Sequence, residues 1–446
     1  MKVVPGPRGQ VLLGNVREMQ QDSLGFLLKV AREYGDVARI RLLSKDVYLV
    51  SHPDGIKHIL QKQHTNYDRN VFSYAPLRLF LGNGLPLSDG SYWLRQRRLM
   101  QPAFHKQRIN ALATQMFAAT NVMLTRWEQY AKQGKVLDIH EEMMHLTLCI
   151  AGMTLFGLNL GDEMNPTGKA FQAMAHEMSV YVYFPMPPLG VPTPRNRRMR
   201  AALRTLDTMI YELIRARRQE KTDRGDLLST LLLASDDDGQ AMNEQQLRDE
   251  IISLLFAGHE TTANTLTWAW YELSRHEKAE ERLWEEVETV LQGKSPTFAD
   301  VSQLAYVGMV MDEALRLYPP TASLVRHSRE DDEVCGYRLP ANRMVMLNII
   351  AAHRNPAYWE QPDIFEPERF SPEHPAEGER HAYFPFGGGP HLCIGNSFAL
   401  MEGHIILALI AQRFRLRFQS DQPVEPRMVL TVQPKGKVPM VLQRRR

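Results

Sequence analysis

The stretch FPFGGGPHLCIGNSFAL, residues 384 to 400, decides how this chain is read. Four glycines, Gly387, Gly388, Gly389 and Gly395, surround a lone cysteine, Cys393, ahead of an apolar helical run. Glycines at that density cost backbone entropy, so the loop needs conformations or close approaches that only glycine allows. A cysteine at a helix start meets unpaired N–H groups and the positive end of the helix dipole, which favour thiolate over thiol. A merely buried cysteine would need none of these glycines.

Several chemistries compete for that sulfur. Phosphate binding requires a G-K-[ST] ending, which is missing. Zinc requires further Cys or His ligands at short spacing, and only His391 is near. A nucleophilic cysteine stays open, although the local sequence identifies no histidine base. Axial ligation of haem iron explains most, because small residues let the backbone approach the sulfur and leave clearance for a flat macrocycle. The other cysteines, Cys149 in LTLCIAGMTLFG and Cys335 in EVCGYR, read as inert.

The rest of the chain bounds the answer. Its 446 residues carry a net charge of +2, 23% charged and 44% apolar side chains, an ordinary globular mixture with no pull towards nucleic acid. Three cysteines make no disulfide framework, which suits a reducing compartment. The start, MKVVPGPRGQVLLGN, has no apolar stretch of signal-peptide length, and runs such as IILALIA at 405–411 are too short to span a bilayer. A cytoplasmic protein without a membrane anchor is the expectation. No Gly/Ser linker, repeat or low-complexity block divides the chain.

Periodicity predicts a mainly α protein with small β-sheets. SLGFLLKVAREYG reads as a helical run and DVARIRLLSKDVYLVS as a hairpin, within a β-rich part at about 1–65, and 68–90 reads as irregular. A helical core is expected over about 90–320, clearest at 104–132, 137–157, 166–182, 197–221 and 243–274. A helix at 394–413 and a strand-like end follow.

With these segments in place, F386-G-G-G-P-H391-L-C393-I-G395 resembles the cysteine-loop signature of the cytochrome P450 haem-thiolate monooxygenases. His391 departs from it, standing where the family usually has arginine. The loop at 384–396 is joined, in family order, by other matches. Glu313 and Arg316 of EALR, with Arg369 of PERF, resemble the buried Glu–Arg–Arg cluster behind the loop. LLFAGHETTANTL, 254–266, resembles the groove over the iron, with Ala257 in the small-residue gap and Glu260 and Thr261 as the acid–alcohol pair that delivers protons. Trp93 and Arg97 match propionate contacts, and Arg326 stands where another is found.

The resemblance implies one cytochrome P450 domain over 1–446 without a fused reductase, monomeric, binding haem b (iron protoporphyrin IX) between a long central helix and the cysteine-loop helix. It implies a monooxygenase that hydroxylates or epoxidises an apolar small molecule, such as a fatty acid or terpenoid. Dioxygen is the co-substrate, and electrons come from a separate ferredoxin or flavodoxin with an NAD(P)H reductase. A peroxide-driven peroxygenase and a haem sensor are the alternatives. Arg95, Arg98, Lys106 and Arg108 are candidates for the donor-docking face, and Phe72, Tyr74, Leu79, Phe80, Met178, Tyr181 and Phe184 for the substrate pocket.

Overall fold

A computed structural model describes residues 3–160, 166–183, 187–220, 222–236, 238–373 and 380–445. Its axis is the helix Glu244–Leu273, 30 residues and so about 45 Å long. Asn243 starts it through a capping box with Gln246, each side chain bonding the other's backbone N–H. Most of this central helix is buried on all sides, so its charged residues each need a partner. Arg248 donates to Asp207 at 2.8 Å and to the Phe80 carbonyl at 3.0 Å. Asp249 accepts from Asn83 N, and Glu250 from Leu85 N, both at 2.9 Å. The loop therefore lies flat on the helix, and Gly82 lets it do so: at φ +63°, a Cβ there would sit 2.2 Å from the Asp249 carboxylate.

Around this axis pack the helices Ile139–Ala151, Pro166–Tyr183, Pro194–Glu220 and Ala305–Leu317. The helix Asn396–Arg413, buried throughout its second half, packs against Lys106–Gln133 and also touches the central helix. One core cluster draws side chains from Phe80 to Leu442. Beside it stands a five-stranded sheet in the order Val37–Leu42, Lys45–Val50, Met344–Asn348, Ser323–Ser328, Tyr67–Asp68. The hairpin pairs Val37 with Val50 and Leu42 with Lys45, and its second strand runs parallel to Met344–Asn348.

Two expectations need correction. The part up to residue 65 holds more helix than strand: Ser23–Tyr34 is the helical run expected from SLGFLLKVAREYG, and Val16–Gln21 before it and Pro53–Lys57 after the hairpin add to it. A lone hairpin is marginal, and its partners come from 323–328 and 344–348 instead. The 68–90 stretch contains a helix, Ala75–Leu81, with Pro76 in its first turn and Gly82 closing it. Its glycines lie only beyond its end, while Leu77, Phe80 and Leu81 follow helical spacing towards the core. The expected helices at 104–132, 166–182, 197–221 and 243–274 match Lys106–Gln133, Pro166–Tyr183, Pro194–Glu220 and Glu244–Leu273. Among the described residues no helix is long and apolar enough to cross a membrane.

Glu250 makes the fold sensitive to pH. Burial pushes its carboxyl up to about 8, partly opposed by the Leu85 N–H and reinforced by the Asp249 charge. The folded protein keeps this proton between about 4.5 and 8, where the unfolded chain has lost it, so stability falls as pH rises through that window and levels off above it. Glu250→Gln is expected to gain on the wild type by up to about 1.4 kcal/mol per pH unit across the window, read from urea midpoints at its two ends.

Candidate active site

The cysteine loop is a sequence of tight turns. Gly387 N donates to Phe384 O, Leu392 N to Gly389 O, and Cys393 N to Phe386 O at 3.0 Å. Gly387 and Gly389 take φ of +75° and +66°, and a Cβ on Gly389 would lie 1.9 Å from the Leu60 carbonyl. The glycines thus serve the turn and its close approach to a neighbouring segment. Cys393 precedes the helix Asn396–Arg413 by three residues, with Gly395 at its cap, and carries accessible surface. The sequence argument for a thiolate is not met by the fold alone. Burial pushes the thiol up, opposed by the Gly395 N–H and by Arg97.

A buried charge cluster braces the loop. Arg316 meets Glu313 in two parallel bonds of 2.6 and 2.7 Å, and its remaining N–H groups reach the carbonyls of His353, Pro362 and Ile364. Arg369 approaches Glu313 at 3.6 Å and Glu366 at 2.9 Å. His353, which the sequence reading missed, carries this brace forward. Its Nδ1 lies 3.2 Å from the Arg316 carbonyl, and its Nε2 accepts from Phe384 N at 2.8 Å. A carbonyl can only accept and an amide N–H can only donate, so the imidazole is neutral with its proton on Nδ1. Burial and the nearby Arg316 agree, pushing it down to about 3. Arg316→Leu is expected to cost about 3–5 kcal/mol in urea unfolding, because it strands the Glu313 charge; adding Glu313→Leu should recover part of that loss.

In front of the loop lies an excess of positive charge. Trp93 packs on His391 with ring centroids 3.8 Å apart, and Arg97 Nη1 donates to Leu392 O at 2.9 Å. Arg326 is buried with Nη1 on its neighbour's carbonyl, Val325 O, at 2.9 Å. Arg69, a second buried guanidinium missed from sequence, donates to Leu85 O and Pro86 O. Burial and then repulsion from Arg326 bring Arg69 down to about 10. Burial, then Arg69 and Arg326, bring His391 down to about 2, so the ring is neutral. Asp89 is the one carboxylate acting on both buried arginines among the described residues.

On the central helix, Ala257 is exposed between buried turns, with Gly258 and Thr261 half-buried beside it. Thr261 bonds back to the Ala257 carbonyl at 2.8 Å. Thr262 does not; its hydroxyl lacks a close partner and lies towards the fully buried Glu402, whose carboxyl burial pushes well up. Glu260 is buried and takes a hydrogen bond from the Thr431 hydroxyl rather than from Thr261. Burial raises the Glu260 carboxyl and the Thr431 bond pulls it back.

The pocket candidates do not converge. Phe80 and Met178 are core side chains at 0% exposure, whereas Phe72 and Leu79 are about half exposed, with Lys45 Nζ 4.8 Å from the centre of the Phe72 ring. Tyr74 packs between two core clusters. The Tyr181 side chain and Phe184 lie outside the described residues. The helices Ala75–Leu81 and Pro166–Tyr183 do adjoin, so the two expected regions meet. Of the docking candidates, Arg95 pairs with Asp236 at 2.6 Å and Arg108 with Asp223 at 3.1 Å, while Arg98 and Lys106 are exposed.

An exposed Cys393 and an exposed Ala257, with guanidinium charge in excess of carboxylate, fit a flat macrocycle that carries an iron and two carboxylates. Comparison with known proteins agrees. The cytochrome P450 family model matches residues 4–440. The chain is 36% identical to cyclooctatin synthase of Streptomyces melanosporofaciens, over 97% of this chain and 94% of that protein. It is also 36% identical to cyclooctat-9-en-7-ol 5-monooxygenase of the same organism, over 92% and 89%. A crystal structure of the cytochrome P450DA haem domain superposes with a TM-score of 0.92 at 26% identity, covering 99% of this chain and 98% of that one. A thiol loop braced from behind and a matching family model over nearly the whole length lead to one conclusion: the chain belongs to the cytochrome P450 family and is a haem-thiolate monooxygenase.

Proposed function

We propose that this monooxygenase oxidises a cyclic terpenoid or a related hydrocarbon bearing few polar groups, with electrons from a separate ferredoxin or flavodoxin and its NAD(P)H reductase. The observation that carries the site assignment is the pairing of an accessible Cys393 with the arginine excess of Arg69, Arg97 and Arg326. The substrate class follows from the relatives, one of them named for oxidation of an alkenol at a saturated position.

In this reading Cys393 ligates the iron, and the three arginines with Trp93 and His391 hold the macrocycle's carboxylates. When bound, haem supplies the redox chemistry that activates dioxygen. The chain contributes the fixed geometry of the loop and the proton path. Thr261, with its hydrogen committed to Ala257 O, offers lone pairs to the groove. Glu260 has its proton affinity raised by burial, the property a general acid needs. Free thiols at Cys149, Cys335 and Cys393 suit a reducing, cytoplasmic setting. Exposed Arg98 and Lys106 are left to steer an acidic electron donor.

With a surrogate ferredoxin, NAD(P)H and isotope-labelled dioxygen, one labelled oxygen atom is expected in the product of a cyclic terpenoid alcohol, and that compound should shift the spin state of the protein. Product formed only from added peroxide, or spin shifts confined to linear fatty acids, would contradict the reading. Arg98→Glu should slow reduction by the donor and flatten its dependence on salt.

A further inference from the structure

A line of polar side chains runs into Glu260 from a hairpin tip rather than from Thr261. The Thr431 hydroxyl donates to Glu260 Oε1. Asn264 Nδ2 donates to Thr431 Oγ1 at 2.9 Å, and His140 Nε2 meets Asn264 Oδ1 at 3.0 Å. Three separate parts of the chain supply these groups. Asn264 sits on the central helix one turn after Glu260, and Thr431 is at the tip of the hairpin Pro426–Met428 and Val432–Pro434. His140 opens the helix Ile139–Ala151. Asn264 and Thr431 are buried, and His140 is half-buried.

The direction of these bonds is fixed by their chemistry. Asn264 donates to Thr431, and the single hydrogen of the Thr431 hydroxyl goes to Glu260 Oε1. With its nitrogen turned to Thr431, the Asn264 amide presents its oxygen to His140, which must then carry a proton on Nε2. All three donors point towards the acid, and aligned hydrogen bonds in a low-dielectric interior strengthen one another. Thr261 takes no part, its hydrogen lying on Ala257 O.

We propose that Thr431, Asn264 and His140 are positioning residues that orient the Glu260 carboxyl and moderate its hold on a proton. The chain turns the carboxyl to the hairpin tip, and the Thr431 bond weakens its hold on the proton destined for the Thr261 groove. The proposal rests on the acid role given to Glu260 above, and its test separates the two.

The infrared carboxyl band of Glu260 is isolated in the haem-loaded protein as the difference between wild type and Glu260→Gln. Thr431→Val is expected to move it to higher wavenumber by removing a bond to Oε1. The fraction of NAD(P)H electrons reaching product should fall about fivefold, what one net hydrogen bond is worth. Thr431→Ser should restore both. Asn264→Ala and His140→Phe should move the same band by less. A band unmoved by Thr431→Val, a failure of serine to restore it, or no shift from either distal variant would overturn the proposal. If Glu260→Gln leaves coupling unchanged, the acid role falls instead, and the band still decides on the chain.

Discussion

Burying an arginine deep in a protein is tolerable only if every donor finds an acceptor, and Arg316 meets that condition. Its N–H groups reach both oxygens of Glu313 and the carbonyls of His353, Pro362 and Ile364. Such a cluster adds little stability over an apolar core of the same volume, because removing the two charges from water costs about as much as their attraction returns. What it supplies here is registration. Its acceptors come from widely separated segments, so they meet in one arrangement only. His353 then passes that arrangement to Phe384 N, and the Phe386 carbonyl passes it to Cys393 N. The sulfur is placed by a hydrogen-bonded path that begins in the buried ion pair.

The opposite wall is organised by imbalance. Arg69 and Arg326 are buried, repel each other and share Asp89. Burial, and then the charges of these two arginines, keep His391 neutral, so this departure from the usual arginine adds a hydrogen-bonding ring without a further positive charge. A group bearing two carboxylates relieves the imbalance, which makes cofactor affinity partly an electrostatic consequence of how the loop before the Trp93 helix packs. The central helix carries the remaining chemistry on a single stretch, with small residues at Ala257 and Gly258, then Glu260 and Thr261.

Much of this was legible in the sequence because it is written locally. The central helix announces itself through its helical period over 243–274, and the Glu313–Arg316 pair through its spacing on one helix face. Cys393 stands out by its glycines. Arg69, His353 and Thr431 were not legible. Each works with partners far away in the chain, Thr431 and Glu260 being 171 residues apart, and no local pattern marks such a pairing. The described pocket candidates part ways for another reason. Phe72 and Phe80 sit in the same short apolar stretch, yet one lies outside under Lys45 and the other in the core. Composition cannot separate those fates; only the burial of the Ala75–Leu81 helix does.

The account stands on ligation of haem iron by Cys393, and the spectrum of the reduced protein under carbon monoxide tests it most directly. It predicts the strongly red-displaced Soret band that a sulfur anion opposite the bound gas produces, and its loss in Cys393→Ala. An undisplaced band in the wild type, or a spectrum unchanged by the substitution, would contradict it.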